Sequence, residues 1–217
     1  MGREGNQLLL QFVHPPLQSS GQIRRGHGGA AAGGRRYLLG CPGGRSLLPT
    51  YRALARARAA GANLAPLVVV MMDDYLVPDG TGRLRRADPD AHYSCERFGR
   101  EEIAGPLGVA PEDLWLPDPA DPAAYDRRLA AAGGIDCFLT ASGASDGHVA
   151  FNPPGSDPDG ASRILPLADS TRRDNMATFP AFRSLDEVPR HGVSVGLGTI
   201  RRVSRAVVIV LTGAGKR

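Results

Sequence analysis

Short apolar runs rich in Val, Leu and Ile alternate along the chain with segments whose apolar positions recur at helical spacing. The runs fall at residues 37–41, 67–72, 135–140, 193–197 and 206–211, and each reads as a buried strand. Between the first two, Leu47, Leu48, Tyr51, Leu54 and Ala55 follow Ser46, which reads as an N-cap, and predict a helix. Further helices are expected around residues 93–103 and 122–132, the second stopped by Gly133-Gly134. This alternation predicts an α/β fold with a mostly parallel central sheet and helices on both of its faces.

The ends read differently. Residues 8–13 are apolar enough for a strand, but Pro15-Pro16 close it, and up to Gly34 the chain is Gly, Ser, Ala and Arg without period. Residues 1–34 are therefore expected to be irregular or disordered, and residues 35–217 to form the folded domain. Long connections at 77–90 and 152–162, rich in Pro, Gly and Asp, follow strand ends, where binding residues usually lie.

Composition narrows the class. With 217 residues, 42% of them apolar, the chain suits one domain with a sizeable core. It has neither an uninterrupted apolar stretch of about 18 residues nor the residue order of a secretory signal. No membrane association is expected, and the cytoplasm is the expected location. Cys41, Cys95 and Cys137 are odd in number, widely spaced and without a CxxC pair, which argues against a disulfide framework and a structural zinc site. The net charge of +4 comes from scattered arginines without interleaved aromatics, so nucleic acid is not an expected partner. An anionic small substrate is compatible with that charge.

Three places carry candidate chemistry. Pro42-Gly43-Gly44-Arg45-Ser46 joins a predicted strand to a predicted helix, where glycines let backbone N–H groups approach an oxyanion. Its spacing fits neither the dinucleotide nor the P-loop fingerprint, and the loop reads equally as a plain turn. Asp73 and Asp74 stand at the end of the 67–72 run; strand alternation directs only one of them into a cleft, as a base or as a turn cap. Asp146-Gly147-His148 follows the 135–140 run at a strand's carboxyl end, where open α/β sheets bind ligands. There the carboxylate is close enough to orient the imidazole as a general acid or base. Arg172 and the late Lys216 are candidates to complete an anion site.

Together these segments resemble the glucosamine-6-phosphate isomerase/deaminase family, which is related to the 6-phosphogluconolactonases. Met72-Asp73-Asp74-Tyr75 is similar to the family's Met-Asp-Glu-Tyr, and Asp146-Gly147-His148-Val149-Ala150-Phe151-Asn152 to its Asp-Gly-His-Ile-Ala-Phe-Asn. Gly43-Gly44, Thr171-Arg172 and Gly196-Leu197-Gly198-Thr199 agree in order and spacing, and the likeness runs from about Tyr37 to Lys216.

The resemblance implies a three-layer Rossmann-like fold and a cofactor-free, metal-free conversion of glucosamine 6-phosphate and water to fructose 6-phosphate and ammonia. It implies that Asp73 shuttles a proton between C2 and C1, that His148, oriented by Asp146, opens the sugar ring, and that Gly43, Gly44, Arg45, Ser46, Arg172 and Lys216 hold the 6-phosphate. The chain departs from the pattern at Pro153, where the family's deaminases carry a Glu that completes the ring-opening relay. Asp157 and Asp159 are the substitutes available in that loop. The resemblance also implies a strand and helix before the glycine loop, where residues 1–34 show no amphipathic helix, and a continuation beyond the lysine, so truncation at both ends is expected, with an uncovered sheet face favouring homo-oligomers. Lactone hydrolysis, isomerisation of another sugar phosphate, or sugar-phosphate binding without catalysis by a degenerate fragment are the alternatives.

Overall fold

A computed structural model describes residues 9–13, 23, 27, 28, 30, 33–64, 66–143 and 146–210. Among these, two sheets form. The larger has six strands in the order β1 (Leu9–Val13), β10 (Ala206–Val210), β7 (Cys137–Thr140), β2 (Tyr37–Cys41), β3 (Leu67–Met71) and β6 (Leu114–Trp115), and every pairing is parallel. The smaller is antiparallel, in the order β5 (Leu84–Arg86), β4 (Asp73–Pro78), β9 (His191–Ser194) and β8 (Arg163–Pro166).

β2 and β3 are buried at every residue, as strands covered on both faces must be. Alternation divides their side chains between two cores. Leu39, Cys41, Val69 and Met71 pack with Tyr51 and Leu54 of α1 (Leu48–Ala59) and with Ile103 and Leu107 of a helical stretch, α2, at residues 95–107. Leu38, Val68 and Val70 pack on the opposite face with Tyr125 and Leu129 of α3 (Pro122–Ala131) and Ile200 of α5 (Leu197–Val203). The result is three layers, helix, sheet and helix. Each fully buried Leu, Val or Met contributes about 1.5–3 kcal/mol relative to exposure.

Local chemistry sets the helix ends. Ser94 caps α2 by accepting the Arg97 N–H at 3.2 Å, and Asp121 caps α3 by accepting the Ala124 N–H at 3.0 Å. Ser46, expected as a cap, is not one. It lies inside a 3-10 turn (Arg45–Leu47), and α1 begins after it without a side-chain cap. β4, β5 and a fourth helix, α4 (Asp169–Thr178), lie where the apolar pattern predicted no element.

Two features position the site. The chain leaves the large sheet at Met71 and enters the small one at Asp73, so Met72 is the whole junction; its carbonyl accepts the Val195 N–H at 2.8 Å. The carboxyl ends of β2, β3 and β7 then open on one side, with α4 across from them.

Candidate active site

A cavity of about 390 Å³ lies at those strand ends. The loop after β2 contributes Gly43, Gly44, Arg45 and Ser46, the sheet junction contributes Met72, Asp73 and Tyr75, the loops after β7 contribute Ser142, Gly143 and His148, and α4 contributes Asp174, Asn175 and Thr178. The sequence-predicted glycine loop, Asp73 and His148 are therefore brought together from three separate strand ends.

Asp73 is 6% exposed. Burial pushes its carboxyl up to about 7, against a partly opposing hydrogen bond from the Cys95 thiol at 3.5 Å and with a further push from neighbouring Asp74. Asp74 points away from the cavity, as strand alternation requires. Its Oδ1 accepts the N–H groups of Tyr75 at 2.8 Å and Cys95 at 3.0 Å, while burial raises it to about 6. Asp74 thus ties β4 to the start of α2 and fixes the carboxylate beside it.

Asp146 does not line the cavity but stands behind His148. Its Oδ1 is 2.7 Å from His148 Nδ1 and accepts the His148 backbone N–H at 3.0 Å, and its Oδ2 accepts the Ser170 hydroxyl. Burial works to raise the Asp146 carboxyl, but these donors outweigh it and hold the group below its usual range. With Nδ1 held in this way, Nε2 is the nitrogen left for a substrate. Gly143 is required here because a Cβ on it would lie 2.1 Å from His148 Nδ1.

The turn after His148 is held firmly. Ala150 is at φ 52°, an unfavourable conformation for a residue with a Cβ. Asn152 compensates: its Nδ2 donates to Val195 O at 2.8 Å and Val149 O at 3.1 Å, and its Oδ1 accepts from Arg163 at 2.8 Å. Gly44, at φ 136°, likewise turns the phosphate-candidate loop in a region open chiefly to glycine.

Other expectations are placed differently. Arg172 is not in the cavity wall. Its guanidinium is buried in the opposite direction, donating to Asp169 at 2.8 Å, Leu185 O at 2.5 Å and Val188 O at 3.1 Å, so it locks α4 to the segment before β9. Lys216 lies outside the described residues. Asp157 and Asp159 also stay away from the cavity: Asp157 accepts the Asp159 N–H, and Asp159 pairs with Arg201. Among the described residues, Arg45 is the cation in the cavity wall.

Sequence reasoning passed over Asp174 and Asn175. Their signal was the polar spacing Ser170, Thr171, Asp174, one face of a helix too hydrophilic to show apolar periodicity. Asp146, His148 and Asp174 place ligand-type atoms within 4.8 Å of one another. Both Asp146 oxygens are already engaged, so the chemistry of the trio fits proton transfer better than cation binding.

Comparison with known proteins follows the same lines. No family model matches the chain. Glucosamine-6-phosphate deaminase of Porphyromonas gingivalis is 31% identical over 201 residues, covering 89% of this chain and 72% of that protein. The chain belongs to the glucosamine-6-phosphate deaminase family. The Pseudarthrobacter chlorophenolicus member is 37% identical over 186 residues, 82% of this chain. The chain spans 66% of the length of that relative. Among solved structures, a monomeric glucosamine-6-phosphate deaminase superposes with a TM-score of 0.72 at 19% identity, covering 93% of this chain and 81% of that one, which bears out the Rossmann-like α/β fold. Among the described residues no helix is long and apolar enough to cross a membrane.

Proposed function

We propose that this chain isomerises and deaminates glucosamine 6-phosphate, giving fructose 6-phosphate and ammonia, through a domain of residues 35–217 to whose parallel sheet β1 (Leu9–Val13) adds an edge strand. One observation carries the reading. A buried carboxyl raised to about 7, an Asp-held imidazole and a glycine loop with one cation face the same 390 Å³ cavity.

In this reading Gly43, Gly44, Arg45 and Ser46 hold the 6-phosphate, so that binding energy far from C1 and C2 positions the reacting carbons. His148 takes the O1 hydroxyl proton and a proton is delivered to the ring oxygen, as the C1–O5 bond breaks and the C1 carbonyl forms. Asp73 then removes the C2 proton as O1 takes up a proton from solvent, giving an enolamine, and returns its proton to C1, leaving an iminium at C2. Water adds at C2 and ammonia leaves. A carboxyl near 7 suits both halves of that shuttle, because it accepts and releases a proton at similar cost. The buried surroundings of Asp73 contribute by removing the solvation that would make it a weak base.

The proposal extends to a cytoplasmic place of action and to self-association, which sedimentation would measure. The reading is tested by incubating the protein with glucosamine 6-phosphate and measuring ammonia and fructose 6-phosphate, with Asp73→Asn and a 6-phosphogluconolactone hydrolysis assay alongside. Turnover that Asp73→Asn abolishes is expected. Lactone hydrolysis without ammonia release would replace this reading with the lactonase one, and a melting temperature raised by glucosamine 6-phosphate without turnover would make the chain a binder.

A further inference from the structure

α4 presents three polar side chains to the His148 loop. Ser170 and Thr171 are already engaged there, Ser170 with Asp146 Oδ2 and Thr171 with His148 Nδ1 at 3.3 Å. Asp174 follows one helical turn later, on the same side. It lines the cavity, and its carboxylate lies within 4.8 Å of the ligand-type atoms of Asp146 and His148. The imidazole therefore has carboxylates from two different elements close to it. Asp146 is out of the cavity with both oxygens engaged; Asp174 is in it.

We infer that Asp174 is a positioning residue that completes the proton relay on His148, a role the loop after Asn152 cannot fill because it continues with Pro153. The inference rests on the proposed deaminase reading. In ring opening, His148 receives the O1 proton and a proton passes to O5 as C1–O5 breaks and C1=O forms, leaving the proton count of the protein unchanged. Asp174 places a negative charge beside the imidazolium that exists between those two transfers. Because α4 supplies it, the relay depends on the docking of that helix, which Arg172 holds through Leu185 O and Val188 O.

The test uses Asp174→Asn and Asp174→Glu in the full chain. Asp174→Asn is expected to lower kcat for glucosamine 6-phosphate by roughly tenfold or more, the low end of what acid/base groups contribute, with KM within about twofold. Asp174→Glu is expected to recover most of the loss. Binding of the reduced, open-chain amino-alcohol phosphate, which has no ring to open, stays unchanged in both. Imidazole 15N resonances of His148 shift in Asp174→Asn. Unshifted resonances, whether kcat falls or not, overturn the inference, as does a kcat that survives Asp174→Asn. Shifted resonances in a protein whose wild type does not turn over glucosamine 6-phosphate uphold the coupling and overturn the substrate reading instead.

Discussion

Replacing Asp73 by Asn should stabilise the protein at neutral and alkaline pH while removing its activity. The carboxyl is 6% exposed and raised from 3.8 to about 7, chiefly by burial. Between those two values the folded protein holds a proton that the unfolded chain has released, so stability falls as pH rises through that window. A difference of about three units corresponds to roughly 4 kcal/mol once both states are ionised. The penalty is absent at low pH, partly developed near pH 5 at about 1.5 kcal/mol, and complete near pH 8. Asn cannot ionise and escapes it.

Urea unfolding of wild type and Asp73→Asn should therefore give midpoints that diverge on going from about pH 5 to pH 8, by about 2–3 kcal/mol in favour of the variant. Asp74 is present in both proteins, and its own rise to about 6 largely cancels from the comparison. In the wild type, kcat/KM should rise with pH along a limb near 7, the ionisation that arms the base. A constant stability gap across this range would refute the argument that burial, uncompensated by a cation, sets the state of Asp73. So would an activity limb near the ordinary carboxylate range.

Gly143→Ala should leave the melting temperature within a few degrees but cut kcat by about a hundredfold, since its Cβ would sit 2.1 Å from His148 Nδ1 and must displace the ring from Asp146; steady-state kinetics beside a thermal melt separates the two effects. Arg172→Ala should cost about 1–3 kcal/mol in denaturant unfolding, because it leaves the buried Val188 carbonyl without its donor and removes one of the two donors to Leu185 O, which keeps the Val188 N–H. A rise in KM for the sugar phosphate without loss of stability would instead return Arg172 to the phosphate site.

Some of the fold and site was legible because the physics is local. The apolar runs that became β2 and β3 are continuous, since a strand covered on both faces has no polar side to display, and Asp121 and Gly133-Gly134 frame α3 by capping and turn chemistry alone. The motifs around Asp73 and Asp146–His148 were visible as residue order. The hairpin of β4 and β5 was hidden because its residues are held by pairing with distant strands, β4 with β9. α4 was hidden because it contributes polar side chains to a site rather than an apolar stripe to a core.

What the sequence alone determined is the class of the fold, the family resemblance and the kinds of group available: two candidate carboxylates, an imidazole and a glycine loop. Tertiary structure decided which of these share a cavity. Arg172 and Asp174 are two residues apart on one helix, yet one is spent on backbone carbonyls and the other faces His148. Likewise Asp73 and Asp74 are neighbours, but only Asp73 enters the cavity. The reason is directional: composition and spacing fix what a side chain can do, while its surroundings are set by strands and helices that approach from far along the chain.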